Sequence, residues 1–209
     1  MQVVTISATF GTGGNVIGPA VAEQLRVPFV DRAIPGAVAT EVGCSLEEAL
    51  AHDDRAEGFI GRILANAVRL PTVTFGGIDV YLPEAAYVPA GEFVSRTEKV
   101  IKETVLLRGG VILGRAGALV LRDHPGALHV RLDAPAERRA AQTAALMGVP
   151  LREARRLIEE NDRARRAYVR HFYRTDPADS SLYHLVIDST VIPVPTCVEM
   201  IVTAAEAMG

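Results

Sequence analysis

The chain has no tryptophan, two cysteines and only two lysines, Lys99 and Lys102, against twenty arginines. Cys44 and Cys197 stand far apart with no metal-ligand spacing, which excludes a disulfide scaffold and a cysteine-built metal centre and suits a reducing cytoplasm. Aromatic residues make up 5 %, too few for a stacking platform on single-stranded nucleic acid, and a net charge of −3 gives no general attraction to nucleic acid or anionic membranes. No apolar run reaches spanning length, and the N-terminus lacks a basic segment followed by an apolar core, so neither a transmembrane helix nor a leader is expected. Low-complexity and long polar tracts are missing too. With 49 % hydrophobic residues over 209 positions, the composition is that of an ordered protein with one substantial core.

What is present begins at the N-terminus. Val3 to Ser7 is a short β-branched run, read as a buried strand. Gly11, Gly13 and Gly14 follow, and a helical pattern then runs through Val16, Ile17, Val21 and Leu25. A strand, a glycine loop and a helix in that order can point successive backbone N–H groups, aided by the helix dipole, at an anion. A bound phosphate is therefore the first expectation, and a tight turn without a ligand is the alternative. The pattern G-x-x-x-x-G-K-[ST] is not met. With Gly13 as the last glycine, Gly14 takes the lysine slot, and Asn15 and Val16 follow where a hydroxyl would stand.

Strands are expected near residues 3–7, 28–31, 110–114, 128–133 and 184–188. Helices are expected near 15–25, 59–70, 92–108, 116–122, 136–147, 151–172 and 195–208, with a capping box at Ser45 to Glu48 opening another. Residues 71–91 read as a long loop carrying Tyr81 and Tyr87. Alternating strands and helices imply a parallel sheet covered on both faces, with ligands bound beyond the carboxyl ends of the strands. The polar candidates fall there: Gly11 to Asn15, Asp31 and Arg32, Gly114 and Arg115, Asp133, and Asp188 to Thr190.

Residues 152–174 carry eight arginines. Guanidinium forks match phosphate oxygens, so one reading is a mobile lid over phosphates; the other is a solvated helix with internal ion pairs. Asp162, Arg165, Arg166 and Arg170 are spaced to share a face. His129 reads as a satisfied core or edge histidine, His171 as helix surface, and Cys44 as an unreactive thiol.

The pattern Ile6-Ser7-x-x-Phe10-Gly11-x-Gly13-Gly14-x-x-Ile17-Gly18 followed by Val27-Pro28-Phe29-x-Asp31-Arg32 resembles the cytidylate kinase-like family of P-loop proteins. So do Val111 to Arg115, Leu121-x-Asp123-x-Pro125, Asp162-x-x-Arg165-x-x-Tyr168 and Tyr183-x-Leu185-Val186-Ile187-Asp188. The resemblance implies an α/β P-loop NTPase-type fold, three layers α/β/α, with a five-stranded parallel sheet ordered 2-3-1-4-5. It implies one kinase-like domain over 1–209, an acceptor-binding insertion at 36–91 and an arginine-rich helical lid at 150–180. It further implies ATP and Mg²⁺, and phosphoryl transfer to a nucleoside monophosphate, nominally CMP or dCMP, or to another small phosphate acceptor.

Carried over by position, Gly11, Thr12, Gly13, Gly14, Asn15 and Val16 would hold the donor. Asp31, Arg32, Arg115, Asp162 and Arg165 would meet the acceptor. Arg163, Arg165, Arg166 and Arg170 are the candidates to replace the missing lysine charge, and Asp31 and Asp133 the candidates for the metal. The chain departs from cytidylate kinases at Gly14, at Leu113 (an aspartate there), and at Ile158 and Ala37 (arginines there). These departures keep a second expectation open: a non-catalytic nucleotide- or anion-binding protein, a degenerate kinase serving as sensor or assembly partner. The apolar C-terminal segment (Val198, Met200, Ile201, Val202) would permit a homodimer.

Overall fold

The computed structural model describes residues 1–30, 98, 101–103, 105, 107–114, 116–163 and 165–208, together with the backbone of 31, 74–75, 78–79 and 164. The capping box, the 59–70 helix, Tyr81, Tyr87, Cys44, Arg32, Arg115 and nearly all of the expected insertion lie outside them. Seven strands are described: β1 (Val3–Ala8), β2 (Phe29–Asp31), β3 (Thr74–Phe75), β4 (Ile78–Asp79), β5 (Gly110–Leu113), β6 (Ala127–Asp133) and β7 (Leu185–Asp188). The helices are α1 (Gly14–Leu25), α2 (Gly117–Val120), α3 (Ala136–Met147), α4 (Leu151–Tyr173) and α5 (Val194–Met208).

The main sheet runs β2-β5-β1-β6-β7, with every pairing parallel. Counted along the chain within that sheet, the order is the expected 2-3-1-4-5. The pair β3–β4 forms a separate antiparallel hairpin inside the stretch read as loop. Strand β1 lies between β5 and β6, with Ile6 opposite both Leu113 and Val130. Both of its faces must therefore be covered, which is why its sequence is a run of apolar and β-branched residues rather than an alternation.

On one face, Val4, Ile6, Val111, Leu128, Val130, Leu132 and Ile187 pack against Ile17 and Val21 of α1 and Cys197, Val198 and Ile201 of α5. On the other, Val3, Val30, Ile112 and Ala127 meet Ile101, Val105, Val120 and Leu121. Cys197 is buried, and burial pushes its thiol pKa up, so it behaves as a small apolar residue. Helix α4 is docked along its second half: Ala167, Tyr168 and Val169 are buried, and Tyr173 donates to Glu98 at 2.8 Å. This packing fastens the second half of α4 to the body of the protein.

Strand β6 turns Leu128, Val130 and Leu132 to the apolar face. Its alternate residues, His129 and Arg131, are buried polar groups on the other. The Thr5 hydroxyl and His129 Nδ1 share a 2.9 Å hydrogen bond, and the His129 ring stacks on His184 at 5.0 Å. Burial, followed by His184 and His124, lowers the His129 pKa to about 4. The folded state thus takes up this proton less readily than the unfolded chain. The His129 contribution is fully present above about pH 6.5 and is lost as pH falls toward 4. Urea unfolding at pH 7 and pH 5 should show it: His129→Gln is expected to reduce the loss of stability between the two by roughly 1–2 kcal/mol. An unchanged pH dependence would contradict a neutral buried His129.

Candidate functional site

The loop joining β1 to α1 is shaped by what its carbonyls find. Thr9 N–H continues the sheet by donating to Leu132 O at 3.0 Å, and its hydroxyl reaches Asp133 Oδ1 at 3.1 Å. The next three carbonyls are each captured by a side chain. Phe10 O accepts from Arg139 Nη1 at 3.0 Å, Gly11 O from Gln142 Nε2 at 3.0 Å, and Thr12 O from the Ser189 hydroxyl at 2.7 Å. In a planar trans peptide the N–H points opposite to the C=O. The amides of Gly11 and Gly13 are therefore turned away from those partners. Gly11 and Gly13 both sit at positive φ, 85° and 73°, which glycine adopts without strain. Among the described residues, the N–H groups of Gly11, Gly13, Gly14 and Asn15 find no protein acceptor, and Asn15 and Val16 are exposed at the mouth. That is an anion cradle at a helix N-terminus.

The lysine slot has a steric explanation. A Cβ added at Gly14 would lie 2.5 Å from Ala8 Cβ and 3.2 Å from Leu113 Cδ1. In the register G-x-x-x-x-G-K, with Gly13 as the last glycine, the first glycine falls on Ala8. The methyl group at position 8 fills the space that a side chain at position 14 needs. The two departures from the pattern are one packing event. Sequence reading identified the missing lysine but not its partner, although counting five residues back from Gly13 reveals it.

Charge is supplied from the other side. Arg139 on α3 is buried and makes three bonds: Nε to Ala134 O at 2.8 Å, Nη1 to Phe10 O, and Nη2 to Asp162 Oδ2 at 2.7 Å. Arg131 on β6 is also buried. It gives Nε and Nη2 to Asp133 Oδ2 and Nη1 to Pro177 O, and it lies 5.6 Å from the Tyr183 ring centre. Arg165, on the inward face of α4, feels Asp162, Arg131, Tyr183 and Arg139. Burial first, with the neighbouring guanidiniums, pulls its pKa below the usual arginine value, against the attraction of Asp162. Among the described residues no hydrogen bond or ion pair engages it. Three guanidiniums face two carboxylates, and Arg165 is the one left uncommitted.

The remaining sequence-predicted residues separate clearly. Asp162 and Arg165 come together, as their spacing required. Arg163 and Arg170 point outward. Arg163 pairs with Glu159 at 3.2 Å and Arg170 with Asp176 at 2.7 Å, so neither faces the loop as a lysine substitute should. Arg166 is exposed and contributes to lowering the Asp176 carboxyl, after the Ala178 N–H and Arg170. Ile158 is buried in an apolar seam with Ala140, Ala154 and Phe10, where a charged head has no place.

Asp133 has one oxygen on Arg131 and the other on Thr9 and the Ala134 N–H, so a metal ion could take it only by displacing these. Asp188 is likewise engaged, by Thr190 and Arg138. Asp31 ends β2 beside Leu113, at the carboxyl edge of the sheet. No cluster of three metal-ligating side chains occurs among the described residues. Sequence reading missed Arg139 and Arg131. The helical spacing Ala136, Arg139, Ala140, Thr143 and the strand alternation Ala127, His129, Arg131 both put an arginine on an inward face.

The sequence model of the cytidylate kinase-like family matches residues 3–191. A cytidylate kinase of Methanopyrus kandleri is 38 % identical over 91 residues, 39 % of this chain and 47 % of that protein. A cytidylate kinase of Aeropyrum pernix is 31 % identical over 106 residues, 50 % of this chain and 61 % of that one. The match thus spans about half to three-fifths of these relatives. An uncharacterized protein of Eubacterium ventriosum shares the fold at a TM-score of 0.65 and 17 % identity, over 99 % of both chains. Among the described residues no helix is long and apolar enough to cross a membrane.

The Ala8–Gly14 contact is testable on folding alone. Gly14→Ala is expected to cost about 1–3 kcal/mol by overpacking, and Ala8→Gly in the same chain to recover most of it. Chemical denaturation of the three variants measures this. Additive costs in the double variant would show that the two positions do not compete for space.

Proposed function

This chain belongs to the cytidylate kinase-like family, and from that premise we propose that it transfers a phosphoryl group from ATP to a nucleoside monophosphate, nominally CMP or dCMP, or to another small acceptor. The observation that supports the proposal is a loop with unpartnered amides whose anchor, Arg139, also neighbours the uncommitted Arg165 guanidinium. Phosphoryl transfer asks the protein mainly for positioning and for neutralisation of phosphate oxygens. In this reading the N–H groups of Gly11, Gly13, Gly14 and Asn15 hold the donor phosphates, at the loop from Gly11 to Val16. Arg165 supplies the charge that the Gly14 slot cannot carry, and Asp162 orients the acceptor. Asp31, Arg32 and Arg115 complete the acceptor side by resemblance. Of the two metal candidates, Asp133 is engaged by Arg131, Thr9 and the Ala134 N–H and the Asp31 side chain lies outside the described residues, and no step is assigned to the metal.

A second reading, nucleotide binding without catalysis, is favoured by one observation, the closure of the lysine slot by Ala8. A coupled assay for ADP release with ATP and a panel of monophosphates separates the two. Acceptor-dependent ADP formation is expected, and Arg165→Ala should lower it by roughly 10²–10³, while Arg163→Ala changes it by less than about 3-fold, the outward pair being worth little. A rise in melting temperature with ATP but no ADP formation would establish the binder. Absence of binding at millimolar ATP would dismiss both.

A further inference from the structure

Arg139 joins the two halves of the site. Its side chain is 6 % exposed, and its three bonding nitrogens reach three different elements: the β6–α3 turn through Ala134 O, the loop through Phe10 O, and α4 through Asp162 Oδ2. A guanidinium is planar and rigid, so these three partners are held in one plane and cannot shift independently. The same loop residue is gripped a second time. The Phe10 ring packs on the α3–α4 seam formed by Ala140, Ala154 and Ile158. Its carbonyl is thus fixed by Arg139 and its ring by the helix that carries Asp162 and Arg165. Asp162 makes no hydrogen bond to the loop; its Oδ1 is buried without a hydrogen-bond partner, while Oδ2 is spent on Arg139.

We propose that Arg139 is a positioning residue that couples the acceptor wall on α4 to the donor loop, so that Asp162 governs the setting of the Phe10–Gly13 main chain without touching it. The assignment of donor and acceptor sides rests on the function proposed above, but the coupling does not require turnover. A ligand that pulls on Asp162 must draw the Arg139 fork with it, and the fork carries the Phe10 carbonyl. Release of that carbonyl frees the following peptide to rotate, which takes the Gly11 amide out of the cradle. Donor affinity therefore depends on the state of the acceptor carboxylate.

Amide hydrogen exchange on the full-length protein without ligand tests this directly. Asp162→Asn is expected to speed exchange of the buried Thr12 amide, which donates to Thr9 O, by about 10-fold and to leave the α5 amides unchanged. Arg139→Met should do the same or more, and Arg139→Lys should not restore protection, because an ammonium donates from one nitrogen and cannot span partners set at Nε, Nη1 and Nη2. Calorimetry with ATP gives the second readout, in which Asp162→Asn weakens binding by about 5- to 10-fold while CMP is absent. If Arg139→Met fails to fold, the Asp162→Asn pair of measurements stands alone. Loop exchange indifferent to Asp162→Asn would overturn the coupling. Wild-type protein that binds no ATP, with exchange coupled as expected, would instead overturn the nucleotide reading and leave the coupling standing.

Discussion

The site depends on the inward capture of three consecutive carbonyls. Arg139, Gln142 and Ser189 come from two different helix–strand junctions, yet they converge on Phe10, Gly11 and Thr12. A buried carbonyl left unpaired costs about 1–3 kcal/mol, so each of these bonds is strongly retained. Together they decide which way the peptide planes face. A glycine loop by itself is permissive and samples many conformations. Here it is held in one, with its amides set outward before any ligand arrives. Such preorganisation lowers the ordering cost that a flexible loop would incur on binding.

Charge balance follows from the same anchors. Arg139 cannot leave Phe10 and Asp162, and Arg131 is held between Asp133 and Pro177. Each carboxylate of the cluster thus holds an arginine with structural duties, and only Asp162 Oδ1 is left without a hydrogen-bond partner among them. Arg165 arrives on α4 into a site that already holds two cations, and burial disfavours its charge further. A phosphate oxygen relieves both penalties at once, whereas water relieves them incompletely. The outer arginines differ in kind. Arg155, Arg156, Arg163 and Arg170 pair with Glu137, Glu153, Glu160, Glu159 and Asp176 at the surface, where such pairs contribute little. The charge run on α4 is thus a solvated face with one inward exception.

Strand and helix positions were legible because period and punctuation agree along most of the chain. The β-branched run of β1, the Gly148-Val149-Pro150 break between α3 and α4, and the apolar stripe of α5 each place an element to within a residue or so. The strand–loop–helix order was legible from the glycines alone. What stayed hidden were the residues whose role depends on a distant partner. Arg139 is an ordinary helix arginine until Phe10, 129 positions away, is brought beside it. Arg163 and Arg165 look alike in sequence, and only the rotation of α4 against the sheet sends one to Glu159 and the other inward. The docked second half of α4 was masked by its charges, because Tyr168, Val169 and Tyr173 are few among many arginines.

The Ala8–Gly14 contact explains how a loop can lose its lysine and stay folded. A chain that kept glycine at position 8 while losing only the lysine would leave a gap beneath the first turn of α1, between the sheet and the loop. The Ala8 methyl fills that gap, 7 % exposed and packed in the larger core. Filling it stabilises the loop but forbids any side chain at 14, so the change is locked from both sides. A return to lysine needs two substitutions, the first of which opens a cavity and the second of which alone overpacks it. In the proposed function the loop therefore holds its anion by main chain, and among the described residues the uncommitted cation nearest this cluster is Arg165 of α4.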